Sequence, residues 1–192
     1  MRTTFQKFAS HLPARCAVAA AAMLTCGLAS AGVVTFNDTT AGGATWNRPL
    51  AGDPPTVLSG VGTNTPYDVN GFFVDQSGSY TFQSTATNPV SWDNFSFLYQ
   101  LAFDQTQQFL NVLIGNDDNP SIGLAGFTYS LVAGVNYYLV QTGFSNISFG
   151  AYSTEIQGPG NIMLSSISVP EPGSLALVGA ALLAALGRRK SA

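Results

Sequence analysis

Between residues 32 and 169 this 192-residue chain has no cysteine, no histidine and no lysine; Cys16, Cys26 and His11 precede that stretch, and Lys7 and Lys190 flank it. Thiol nucleophiles, disulfides, Ser-His-Asp triads, Cys/His zinc sites and a catalytic lysine are thereby excluded from the middle of the chain. Charge is scarce too, at 9% of residues, whereas 46% are hydrophobic. That is apolar mass for one compact domain rather than a disordered chain. From 32 to 169 Arg48 is the only basic residue, against Asp38, Asp53, Asp68, Asp75, Asp93, Asp104, Asp117, Asp118 and Glu155. One positive charge against nine negative ones leaves the middle at −8, although the whole chain sums to −3. A surface of that sign repels phosphate backbones and attracts cations, so no nucleic-acid partner is expected.

The basic residues lie at the ends. Residues 1–31 run from a charged stretch ending at Arg15, through the apolar Cys16–Leu24, to small residues closing on Ala29-Ser30-Ala31. This is the n-region, the short h-region and the A-x-A site of a signal peptide read by Sec-type export machinery, with cleavage expected between Ala31 and Gly32. A lipoprotein signal at Cys26 competes, but Thr25 before it is bulkier than the usual Gly, Ala or Ser. An exported domain without disulfides is held by packing, with hard cations on oxygen ligands as one further support.

At the other end Pro170-Glu171-Pro172 precedes the uncharged stretch Gly173–Gly187, and Arg188-Arg189-Lys190 follows. As a helix those fifteen residues reach roughly 22 Å, short of the ~30 Å hydrocarbon core. The positive-inside rule keeps the basic cluster cytoplasmic, so a transient transmembrane anchor with the acidic domain outside is expected. Tripeptide, apolar helix and basic end, in that order after a signal peptide, closely resemble the PEP-CTERM sorting signal. The resemblance implies processing by an exosortase-type membrane enzyme, and delivery to the cell surface or exopolysaccharide matrix of a Gram-negative bacterium. It implies an address, not an activity.

Residues 32–169 show alternation rather than helical periodicity. In Phe95–Phe103 every odd position is large and apolar, which predicts a strand burying one face. Similar runs are Val33–Phe36, Gly71–Val74, Ser79–Gln83, Phe109–Ile114, Phe127–Leu131, Val135–Gln141, Ile147–Tyr152 and Ile162–Val169, separated by Gly, Asn, Asp and Pro. About nine short strands predict an all-β antiparallel sandwich or jelly roll, with the Gly-, Thr- and Pro-rich 37–66 as loop over its edge. The expected order is signal peptide 1–31, β-sandwich domain 32–169 and sorting tail 170–192. Gly78-Ser79-Tyr80-Thr81-Phe82, Phe97-Leu98-Tyr99 and the Phe127–Val140 hairpin also look like bacterial pre-peptidase C-terminal-like sandwiches. That resemblance implies a non-catalytic module, some relatives of which bind calcium at a strand-end loop.

Asn116, Asp117, Asp118 and Asn119 offer clustered oxygens in one loop for a calcium ion, with Asp104 ending the preceding strand region and Asp93 beginning that strand, although Asp and Asn are also the commonest turn formers. One of Tyr137 and Tyr138 must face outward and is a candidate for stacking on a sugar ring, because adjacent strand residues point oppositely. A carboxylate-based hydrolase would need a partner for Glu155, and the sequence places none. The leading expectation is a non-enzymatic, exported surface or matrix protein. A carbohydrate- or calcium-binding module is the alternative, and an aspartate-based hydrolase the third.

Overall fold

The computed structural model describes residues 31–165. The expected signal peptide up to residue 30 and the tail, including Pro170, Glu171, Pro172, Arg188, Arg189 and Lys190, lie outside the described residues. Within them the chain is all-β, with strands β1 (Gly32–Thr39), β2 (Thr45–Trp46), β3 (Thr65–Val74), β4 (Gly78–Asn88), β5 (Asn94–Gln100), β6 (Val112–Asn116), β7 (Leu124–Leu131), β8 (Tyr137–Gly143), β9 (Ala151–Gly158) and β10 (Ile162–Ser165). All pair antiparallel, in a four-stranded sheet β1-β9-β4-β7 and a larger sheet β10-β3-β8-β5-β6 in which β2 also pairs β3.

Alternation along each strand decides what lies between the sheets. Tyr80 and Phe82 of β4, Phe127 and Leu131 of β7 and Ile156 of β9 meet Phe72 and Val74 of β3, Leu98 of β5 and Tyr137 and Leu139 of β8 in one buried cluster. At roughly 25 cal/mol per Å² of apolar surface removed from water, this contact holds the sheets together. Toward the other end of the same space the inward positions are polar and hydrogen-bonded across the gap. Gln141 donates to Thr154 (3.3 Å) and Asn94 to Ser84 (3.2 Å), and the Tyr152 hydroxyl donates to Asp68, while within the larger sheet Ser96 donates to Gln141 (2.7 Å).

β5 is buried on both faces, not on one as the alternation in Phe95–Phe103 predicts. Its odd positions Phe95, Phe97 and Tyr99 face away from the other sheet, into a second core with Trp46, Tyr67, Val112 and Val140. The covering layer is the stretch 40–64, which is loop as expected but closely tied down. Gly52 exchanges two backbone hydrogen bonds of 2.9 Å with Gly115 of β6, and Leu50 donates to Val57 (2.8 Å). Gly115 is required there, since a Cβ would stand 2.3 Å from the Phe97 ring. β5 also stops earlier than predicted, because Leu101 takes a left-handed φ of 66° that turns the chain out of the sheet.

Arg48 fixes this layer. It is 1% exposed, and its guanidinium stacks 4.2 Å from the Phe95 ring centroid and 5.2 Å from that of Phe144. Its Nε donates to the Gly143 carbonyl (2.9 Å), Nη1 to Pro49 (2.8 Å) and Nη2 to Phe144 (2.6 Å). Replacing it strands those carbonyls, at about 1–3 kcal/mol for each buried polar group left unpaired. Arg48→Met should therefore lower stability by about 3 kcal/mol or more in chemical denaturation, and Arg48→Lys should recover only part of that, since one ammonium cannot reproduce the planar fork.

Candidate functional site

Loops 40–64, 89–93, 117–123 and 144–150 converge at one end of the sheets. The antiparallel register there, Ser96 opposite Asn116, brings the residues just before β5 against those just after β6. Asp93, Asp117 and Asp118 consequently each offer an oxygen within 4.8 Å of the others. Asp93 also anchors the neighbouring loop, since its carbonyl accepts the Phe144 N–H (2.9 Å). Asp117 is half-buried, and its Oδ1 is shut off from solvent without a hydrogen-bond partner.

Electrostatics at this site are unbalanced. Arg48 spends its hydrogen bonds on carbonyls, so its charge acts on Asp117 and Asp93 only through space. Burial pulls the Arg48 pKa below its ordinary value, and the two carboxylates oppose that shift. Asp117 is pushed up to about 6 by burial first, then by repulsion from Asp93 and Asp118, with Arg48 pulling the other way. Asp93 is raised by burial and by Asp118. Three carboxylates, one with an oxygen that nothing in the protein satisfies, form the donor set a hard cation takes, and a cation there would remove the repulsion.

Of the residues named around the acidic loop, the structure brings together Asp93, Asp117 and Asp118. Asn119 instead enters the turn before β7, where its N–H donates to the Leu124 carbonyl. Asp104 lies at the opposite end of the β5–β6 hairpin, accepting from the Thr106 N–H (2.8 Å) and hydroxyl (2.7 Å), bonds that hold its carboxyl below the usual range. Tyr137 is a core residue stacked on Phe72 at 5.7 Å, and Tyr138 points to the other face, half-buried against the second core. Glu155 is exposed on the four-stranded sheet between Thr35 and Gln83. Gly32, expected as the residue after signal cleavage, is the first residue of β1, opposite Gly158.

The Asp117 shift has a sign that can be measured. Its folded value of about 6 exceeds the unfolded carboxylate value of about 3.9, so between them the folded state binds more protons. The resulting stability is fully present below about pH 4 and is lost as pH rises through 6. Urea midpoints taken without divalent ions should fall across that window, and Asp117→Asn should flatten the fall and raise stability at pH 7.

No curated protein matches this chain. At its C-terminus, residues 168–190 match the PEP-CTERM protein-sorting motif, the mark of an exported surface protein processed by an exosortase.

Proposed function

We propose that this is a non-enzymatic protein whose acidic β-sandwich is carried across the inner membrane by Sec-type machinery and deposited in the outer surface or exopolysaccharide layer. The sorting motif carries this reading. Its support from chemistry is the want of Cys, His and Lys between 32 and 169, which leaves carboxylates and hydroxyls as the only reactive groups, and Glu155 stands on an open strand face. The likeness of residues 78–140 to pre-peptidase C-terminal-like modules favours the same non-catalytic role. Replacing Pro170-Glu171-Pro172 by alanines should leave an unprocessed form in the inner-membrane fraction, because the apolar stretch and Arg188-Arg189-Lys190 persist. Delivery of that variant to the surface at normal mass would overturn the reading.

A second reading, calcium binding, is favoured by one observation: the buried, unpartnered Asp117 Oδ1 within the Asp93–Asp117–Asp118 group. Three carboxylates opposed by the nearby Arg48 suit a dissociation constant on the order of 10⁻⁴ M, in the range of extracellular modules. At a hundredfold excess over that constant, mass action adds roughly 2.7 kcal/mol to stability. Calcium should raise the melting temperature more than magnesium does, since magnesium gives up its water reluctantly, and Asp93→Ala or Asp117→Ala should abolish the difference. Equal responses to both ions that survive either substitution would mean general screening.

A further inference from the structure

Exposed loop tips are usually small and polar, but at the end of the sheets where the acidic group lies they carry large apolar side chains. Val61, Val90, Ile122, Phe144, Ile147 and Phe149 are all exposed there, Val90 by 80% and Ile147 by 86%. They come from four loops, and the loops touch. Asn146 accepts from the Asn64 N–H (2.8 Å) and donates to Thr63 (3.1 Å), and the Phe144 N–H donates to the Asp93 carbonyl (2.9 Å). A Cβ on Gly123 would stand 2.8 Å from the Ser91 Cα, so the loops bearing Ile122 and Val90 are equally close. Apolar groups gathered on one rim mark a surface with a partner.

The course of the chain says which partner. β10 runs antiparallel to β3, so at Ser165, opposite Gly71, the chain is heading for Thr65, where β3 begins at this rim. From Gly71 to Thr65 is six residues, roughly 20 Å at the rise of a strand. From Ser165 to Gly173, where the uncharged stretch of the tail begins, is eight residues, which reach about 28 Å at most in any conformation. The difference is only about 8 Å. With this end toward a bilayer that holds the uncharged stretch, the loops beyond Thr65 cannot stand clear of the lipid.

We propose that the rim of Val61, Val90, Ile122, Phe144, Ile147 and Phe149 rests on the outer face of the inner membrane for as long as the tail holds the chain there. This deepens the proposed function and rests on the tail being a membrane-anchoring sorting signal. Membrane-surface helices bury their apolar side about 5–10 Å into the boundary of headgroups and acyl chains, and side chains of this size on loop tips reach a comparable depth. Charge adds no grip. Arg48, the sole basic residue among the described ones, is buried, while Asp93, Asp117 and Asp118 lie at the rim, so nothing there attracts an anionic headgroup. The rim therefore acts through the high local concentration that the tether provides, and removal of the tail by processing frees the domain. The opposite end also shows apolar tips, Leu101, Leu110 and Val132, but the chain leaves β10 away from them.

Tryptophan emission reports which end meets lipid, because the two native tryptophans, Trp46 and Trp92, are buried. Ile147→Trp and Leu110→Trp replace exposed residues at opposite ends of the domain, each in the full-length chain mixed with phosphatidylcholine vesicles brominated high on the acyl chains. Relative to the unaltered chain, the added emission of Ile147→Trp should be quenched about threefold or more, and that of Leu110→Trp should not. Adding Val90→Asp and Ile122→Asp to Ile147→Trp should remove the quenching while the chain still floats with the vesicles. Unquenched Ile147→Trp, quenching of Leu110→Trp as strong or stronger, or quenching that survives the two aspartates overturns the proposal. Flotation separates the two ways of failing. Floating chain with Ile147→Trp unquenched overturns the docking alone, whereas chain that does not float has no anchoring tail, and both readings fall.

Discussion

One buried guanidinium organises this domain. Arg48 is the only cation between residues 32 and 169, and it lies under the surface between two aromatic rings with carbonyl oxygens around it. A buried charge is costly unless its donors are satisfied, and here backbone oxygens of the 40–64 layer and of the β8–β9 connection satisfy them. The Arg48 N–H and C=O join in as well, pairing with Gly62 (3.0 Å) and Ser59 (2.8 Å). The layer thus has an ionic and hydrogen-bonded reason to be ordered despite having only a two-residue strand of its own.

With the layer in place the larger sheet has apolar cover on both faces. Trp46 anchors the covering side, its indole N–H donating to Thr142 (3.1 Å) while its ring meets Phe97 edge-on at 5.5 Å. The same arrangement sets up the acidic group. Phe95, which receives the guanidinium, begins the strand that Asp93 precedes, and β6 delivers Asp117 and Asp118 beside it. A cation locked to carbonyls tempers the three carboxylates from nearby without neutralising them. Residues 32–169 carry −8, and residues 168–190 match the sorting motif.

Strands bounded by Gly, Asn, Asp or Pro with strong alternation, such as those in Ser79–Gln83, Phe127–Leu131 and Val135–Gln141, were legible because two-residue periodicity is a local property. β9 was placed too early, over Ile147–Tyr152 instead of Ala151–Gly158. Its inward residues include the polar Thr154, which dilutes the apolar signal, whereas Phe144, Ile147 and Phe149 before it are exposed apolar loop residues. The second core was invisible, because alternation shows that a face is apolar but not that a distant loop returns to cover the other. Asp117 and Asp118 could be picked out as clustered acids. Choosing Asp93 over Asp104 as their neighbour required the β5–β6 register, which no local pattern supplies.

The central claim is that 40–64 is a folded layer held by Arg48 and not a surface loop. Native-state hydrogen exchange of the exported domain, read at the amides of Arg48, Leu50, Gly52 and Ser59, tests it most directly, since each donates a backbone hydrogen bond in this layer. Protection approaching that of the central strands β3, β5 and β8 is the predicted result. Exchange of those four amides at loop rates, with the central strands still protected, would contradict the account.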